Sequence, residues 1–291
     1  MLSRRGALAG FGAWALRGQN RRRGMFGDAE AYERFMGRWS RLLAPLLVDF
    51  TGLPERGRVL DAGSGTGALA FSIARSKEHC EVSGIDPSKE YVGFATSRNA
   101  FPDRVRFEVG DAQQMRFSDG TFQASLSLLV FNFIPDPAKA LREIRRVTSA
   151  GGRVSAAVWD YGAGMRMLRM FWDAAVSVDP GGAKADESHM PLCRESELAE
   201  LWKQSGLMEV AGRPLDITMR FGSFADYWEP FLLGQGPAGA WVRRMDAERR
   251  DDLRSAVKRR LGLQSENAAF SLAARAWAVR GVVPGKAGAL R

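Results

Sequence analysis

The run Val59-Leu60-Asp61-Ala62-Gly63-Ser64-Gly65-Thr66-Gly67 constrains this chain more than any other stretch. Arg58 to Asp61 reads as a short buried strand. Three glycines follow within five residues, and Ala68 to Ser76 then has the composition of a helix. Glycine-rich strand-to-helix turns allow close approach of the backbone to a ligand and positive φ, and they aim a helix N-terminus at that ligand.

The unit repeats down the chain. Cys80 to Ile85 is a second strand ending at Asp86-Pro87, with Lys89 to Arg98 as its helix. Arg104 to Val109 is a third strand ending at Gly110-Asp111. Phe122 to Phe131 is a fourth, followed by a helix from Pro137 to Thr148. Gly151-Gly152 turns the chain into a fifth strand, Arg153 to Trp159. Short apolar strands alternating with helices require right-handed crossovers and a parallel sheet covered on both faces. Beyond these, Met165 to Val178 and Glu195 to Gln204 read as helices around a loop rich in glycine. Leu207 to Phe221 and Phe270 to Val283 read as sixth and seventh strands. Between them Ser223 to Glu266 is helical and aromatic-rich, and is expected to be a lid inserted in one domain. Ahead of the first strand, Tyr32, Phe35, Met36, Trp39, Leu42, Leu43, Leu46 and Leu47 recur at helical spacing, with Pro45 expected to break the helix or start a new one.

The identity of the ligand follows from acids at strand ends. The glycines stand at the first, third and fifth positions of the turn, whereas a dinucleotide fingerprint sets the third one place later to admit a pyrophosphate. Asp61, two residues before Gly63, would repel a pyrophosphate but can pair with an ammonium. A ligand carboxylate beside that ammonium would meet the N–H groups of the turn. Asp86 lies 19 residues after Gly67, where an acid accepts ribose hydroxyls. Asp111 is placed to accept from an adenine amino group while Ala112 offers its N–H to the ring. Asp86 before Pro87 also reads as a turn former, and Asp111 as a helix N-cap.

Net charge is +9, yet six arginines and no acid lie in residues 1–24. The remaining chain carries 36 basic against 33 acidic side chains, which removes most support for a nucleic-acid partner. Residues 1–24 are read as a basic extension ahead of one domain spanning 25–291. Ser3-Arg4-Arg5 with the apolar run to Leu16 is a twin-arginine-like alternative to a cytoplasmic location. Cys80 and Cys193 are too few for a disulfide framework, and neither has metal-ligand spacing. No metal and no membrane-spanning segment are expected.

On these residues the chain resembles the class I S-adenosylmethionine-dependent methyltransferases, especially the small-molecule branch that includes quinone-biosynthesis enzymes. The resemblance rests on Val59 to Gly67, Asp86, Gly110-Asp111-Ala112, and Arg145-Arg146-Val147 leading to Gly151-Gly152, where Ala150 replaces the usual proline. It covers roughly residues 30 to 160, extended to about 283 by the last two strands. It implies an α/β, Rossmann-like, seven-stranded sheet in the order 3-2-1-4-5-7-6 with the seventh strand antiparallel. It also implies S-adenosylmethionine as cofactor and S-adenosylhomocysteine as product. The cofactor residues it implies are Asp61, Gly63, Ser64, Gly65, Gly67, Asp86, Pro87, Asp111, Ala112 and Leu128. Asn132 is a further contact, and Phe35 and Trp39 either cover the cofactor or pack in the core.

Methyl transfer from a sulfonium needs an aligned nucleophile and excluded water, and a base only if the acceptor must lose a proton. His189 and Tyr161 are candidates for that base, with Asp160 beside Tyr161. Tyr227 and Trp228, together with Trp39, are candidates for an apolar acceptor pocket. Asn132-Phe133-Ile134-Pro135 does not match the motif of amino-directed DNA methyltransferases, so a small, partly apolar acceptor is expected. A nicotinamide-dependent oxidoreductase and a non-catalytic regulatory protein that keeps the fold are the alternatives.

Overall fold

The computed structural model describes residues 28–285, so the basic segment 1–24 lies outside them. Seven strands form one sheet: β1 (Arg56–Ala62), β2 (His79–Asp86), β3 (Val105–Val109), β4 (Phe122–Leu128), β5 (Thr148–Trp159), β6 (Met208–Phe221) and β7 (Phe270–Val282). Their order is β3-β2-β1-β4-β5-β7-β6, as the resemblance implies. Neighbouring strands from β3 to β5 are parallel, and β7 runs antiparallel to both β5 and β6. Val59, Leu60, Ala124 and Ala156 are fully buried, as the centre of a parallel sheet covered on both faces requires.

The leading helix departs from expectation at two points. α1 (Ala29–Tyr32) winds through a π-helical turn, Glu33–Gly37, into α2 (Arg38–Thr51). Pro45 lies inside α2 and does not interrupt it. Both Pro45 and Arg41, whose carbonyl loses its helical partner there, are exposed, so the gap lies on the solvent side of the helix. On the opposite face Leu43, Ala44 and Leu47 are fully buried. Each leucine contributes about 1.5–3 kcal/mol, enough to offset the missing bond.

Strand ends also differ. β4 stops at Leu128, short of the expected Phe131, because Leu129 adopts φ 63 and Phe131–Phe133 wind into a 3₁₀ turn. β5 begins at Thr148 instead of Arg153. The glycine pair is absorbed as a bulge between the Phe122–Thr148 and Ala124–Arg153 pairs. The remaining helices along the sheet are α3 (Ala68–Ser76), α4 (Lys89–Ser97), α5 (Pro137–Val147), α6 (Arg166–Val178) and α7 (Glu195–Gln204). Ser88 and Asp136 cap α4 and α5 by accepting from Tyr91 N (3.2 Å) and Lys139 N (2.8 Å).

Between β6 and β7 come α8 (Phe224–Leu232), α9 (Gly236–Val242) and α10 (Ala247–Arg260). They pack on α6 and on the π-turn of the leading helix. No described helix is long and apolar enough to cross a membrane.

Candidate functional site

The parallel arrangement brings the C-terminal ends of β1, β2, β3 and β4 to one edge of the sheet, and the acids singled out in the sequence stand there. Asp61 is the last residue but one of β1 and is completely buried. Its Oδ2 accepts from Ala70 N in the first turn of α3 (3.0 Å), while Oδ1 is buried with no protein partner. Burial pushes this carboxyl up to about 7, against the pull of the Ala70 N–H, and the nearby Asp86 pushes the same way.

The glycine turn is shaped by its own hydrogen bonds. Gly63 N and Ser64 N both donate to Ile85 O (2.8 Å each), Gly65 N donates to Asp86 Oδ2 (2.9 Å) and Gly67 N to Ser64 O (2.9 Å). These four groups, which the sequence reading offered to a ligand carboxylate, are satisfied inside the protein. The glycines differ in what surrounds them. A Cβ on Gly63, at φ 81, would sit 2.6 Å from Val130, whereas Gly65, at φ 52, has nothing within 4 Å of that position. The turn therefore presents an open notch at Gly65, with the unpartnered, buried Ser64 Oγ beside it in the chain.

Asp86 is 8% exposed. Its Oδ1 accepts from Ser88 N and its Oδ2 from Gly65 N (2.9 Å each), leaving a second lone pair on each oxygen. Burial pushes its carboxyl above the usual range. The sequence reading missed the aromatic wall next to it. Tyr32 and Tyr91 meet with ring centroids 5.3 Å apart, and the Tyr91 hydroxyl is buried without a partner. Tyr91 sits one turn into α4, at a spacing that looks like ordinary core packing, so no motif marks it. Pro87 follows Asp86 into the cap of α4. Asp111 is exposed and accepts from Gln113 N at 2.8 Å, a local turn bond, and Ala112 is buried beside it. Leu128 is buried at the end of β4.

The leading helix closes over this edge. Thr66 Oγ1 donates to Glu33 Oε1 at 2.5 Å, and Glu33 is ion-paired with Arg41. The Glu33 carboxylate fits in the notch of Gly37, where a Cβ would lie 2.3 Å from Oε1. A π-turn places residues differently from an α-helix, and this one brings Glu33 above the glycine turn.

A second polar group lies beyond the ends of β4 and β5. Asn132 is 2% exposed with its Oδ1 unpartnered, and its Nδ2 faces Met190 Sδ at 3.8 Å. Tyr161 is 4% exposed; burial drives its phenol well above the usual value, and the negative field of Glu187 adds to the rise. Glu187, also buried, receives Trp172 Nε1 on Oε2 at 2.7 Å. Burial pushes its carboxyl up to about 7. His189, two residues on, is exposed at the surface. Of the two candidate bases, Tyr161 thus stands inside the protein, and Glu187 is a buried acid that the sequence reading passed over.

The three aromatic pocket candidates are packed against other side chains. Trp39 packs on Phe221 with its ring centroid 5.2 Å away, under the Arg38 guanidinium. Phe35 meets Phe231 edge-on. The Tyr227 hydroxyl donates to Met167 O at 2.7 Å, and Trp228 stacks on Phe224. Their side chains join the inserted helices to α6 and to the leading helix.

A sheet of this order, with a glycine turn after β1 and acids ending β1 and β2, defines the Rossmann-like methyltransferase class. The family model described as a methyltransferase domain matches residues 54–201, just over half of the chain, and the chain belongs to the class I S-adenosylmethionine-dependent methyltransferases. It is 32% identical over 117 residues to the demethylmenaquinone methyltransferase of Thermotoga maritima, a match covering 40% of this chain and 48% of that protein. The chain thus spans about half the length of the curated relatives it matches. Among solved structures, the YcgJ protein of Bacillus subtilis superposes with a TM-score of 0.55 at 18% identity, over 86% of this chain and all of that one. Haemonchus contortus phosphoethanolamine N-methyltransferase 2, in complex with phosphomonomethylethanolamine and S-adenosylhomocysteine, gives a TM-score of 0.55 at 18% identity, over 92% of this chain and 59% of that one. At such identities the likeness is one of fold. The nicotinamide and regulatory alternatives gain no support from these relatives.

Proposed function

We propose that this protein transfers a methyl group from S-adenosylmethionine to a small, partly apolar acceptor by in-line displacement. The observation that carries the reading is the Asp61 carboxylate, fully buried with one oxygen unpartnered, beside the open notch of Gly65. A buried acceptor without a donor is costly, and an ammonium group is the donor that an ionised carboxylate best accommodates. When bound, the cofactor supplies an activated methyl group.

Asp61 Oδ1 holds the amino end of the cofactor, and Ser64 Oγ adds a hydrogen bond from the same turn. Asp86 receives the ribose hydroxyls on its remaining lone pairs, and Pro87 fixes the direction in which β2 leaves the site. Asp111, Ala112 and Leu128 border the adenine. Gly63 and Gly67 keep the turn in a form that Gly65 can open to the ligand. The leading helix, bonded through Glu33 to Thr66, covers the site and excludes water, which favours displacement over hydrolysis. The helical insertion between β6 and β7, about residues 223–266, acts as a lid over the acceptor within the one domain that follows the N-terminal segment.

Calorimetric titration of the full chain tests the reading. S-adenosylhomocysteine is expected to bind, NADH to show no heat, and Asp61→Ala to abolish binding while leaving the circular dichroism spectrum unchanged. Binding of NADH alone, or undiminished affinity in the Asp61 variant, would refute it. Mass spectrometry of co-purified small molecules, followed by a methyl-transfer screen, identifies the acceptor.

A further inference from the structure

The polar group beyond β4 and β5 has a composition that core packing does not account for. Asn132, Tyr161 and Glu187 come from three separate segments and are each more than nine-tenths buried. Asn132 follows β4 by four residues and Tyr161 follows β5 by two. β4 adjoins β1, and β5 adjoins β4. With strands about 4.8 Å apart, the group begins one strand away from Asp61 and extends to a second, on the side away from β2 and β3.

Its hydrogen-bonding capacity is unbalanced. Asn132 Oδ1 is buried without a well-formed hydrogen bond, and the Asn132 side chain lies against the Tyr161 hydroxyl. Among the described residues, the hydrogen bond that Glu187 receives comes from the neutral indole of Trp172. Neighbouring structure holds Glu187 in place: Asp186 is clamped by the Arg169 guanidinium through two bonds of 2.6 and 2.7 Å and also accepts from Ser188 N at 2.8 Å. The surroundings are apolar, with Phe131 fully buried on the β4 side and Trp172 on α6.

We infer that Asn132, Tyr161 and Glu187 form the acceptor subsite, and that it takes a neutral nucleophile on an apolar body which donates an O–H or N–H hydrogen into these acceptors. Carboxylate and phosphate acceptors are rejected, because they would bring negative charge and no donor to Asn132 Oδ1 and Glu187. The inference rests on the proposed methyl transfer for its meaning and on the geometry of these three side chains for its content. The charged groups facing Glu187 are Asp186 on its own turn and Arg169 on α6, with the titratable Tyr161 facing it from the end of β5. Since the Glu187 carboxyl is raised to about 7, it is mostly ionised at pH 8, where the test is made.

The probes are phenol, aniline, anisole and benzoate, which share one ring and differ in donor and charge. Their binding to the full chain is measured by ligand-observed NMR at pH 8, with and without saturating S-adenosylhomocysteine. Phenol or aniline is expected to bind about tenfold more tightly than anisole and benzoate, as for a hydrogen bond to a charged acceptor, and their relative affinities tell oxygen from nitrogen as the donor atom. Glu187→Gln should bring phenol and benzoate closer together, and Tyr161→Phe, which removes one hydroxyl, should narrow the phenol-to-anisole ratio. Benzoate binding as well as phenol, none of the four binding, or both variants leaving the ratios unchanged overturns the subsite. Failure of S-adenosylhomocysteine to bind is a separate result, which refutes the cofactor reading while the fragment series still decides this one.

Discussion

Thr66 donates its hydroxyl hydrogen to Glu33 across 2.5 Å, tying the glycine turn after β1 to a π-turn in the leading helix. The cover of the site is therefore bonded to the element it covers, and loosening one should loosen the other.

Replacing Glu33 by Ala removes this bond together with the ion pair to Arg41. Hydrogen exchange across residues 29–51 should accelerate, and affinity for S-adenosylhomocysteine should fall by about tenfold, in keeping with the loss of one charge-assisted hydrogen bond. Gly37→Ala should act in the same direction, because its Cβ takes the space of the Glu33 carboxylate. Unchanged exchange in both variants would show that the helix is held by its other contacts, among them the Arg38 to Asp226 ion pair.

Asp61 predicts how stability depends on pH. Its folded value near 7 lies above the ordinary 3.8, so the native state holds a proton that the unfolded chain releases in between. The stability this contributes is complete below about pH 4 and is lost as pH rises through 7. Without cofactor, the melting temperature should decline over that window from this group. Asp61→Asn should flatten the decline, leaving the contributions of Glu187 and Asp86, which are shifted the same way. Binding of S-adenosylhomocysteine should release protons near pH 6.5 as its ammonium draws Asp61 into the ionised form, measurable by calorimetry in buffers of differing ionisation enthalpy.

The two glycines of the turn should separate stability from binding. Gly63→Ala drives a methyl group into Val130 at a positive φ and should cost about 2–4 kcal/mol in denaturant unfolding. Gly65→Ala meets open space, so it should cost about 1–2 kcal/mol from backbone strain alone, yet abolish cofactor binding by filling the notch. Equal binding losses at equal stability would contradict the notch.

Arg169 is 7% exposed and clamps Asp186 through both carboxylate oxygens. Arg169→Ala leaves Asp186 without its partner and should lower unfolding free energy by about 3–5 kcal/mol. Arg169→Lys should recover only part of this, since an ammonium cannot span both oxygens. Urea unfolding of the two variants gives the comparison.

Elements set by local chemistry were legible in the sequence. The glycine turn, the acids at Asp61 and Asp86 and the alternation of strand with helix all follow from residues close together in the chain. The strand order came with the family resemblance and matches the sheet. What escaped depends on contacts between distant segments. The π-turn leaves no compositional mark, and the Glu33 to Thr66 bond exists only once the leading helix has docked. Glu187 is one of several acids in a loop with a more conspicuous histidine, and only burial against Trp172 distinguishes it. The expectation for the turn's N–H groups failed for a related reason: Ile85 O and Asp86 reach them from β2, a contact that no reading of the turn alone contains.

The helices between β6 and β7 leave the sheet at Phe221 and return at Phe270, and these two residues are paired across the strands with their rings stacked 5.0 Å apart. The excursion therefore begins and ends at one point, fastened like a clasp. Its length can change without altering the register of any strand, provided that the faces packed on α6 and on the leading helix are kept. Under the function proposed above, such a change would alter the acceptor while the residues assigned to the methyl donor stay in place.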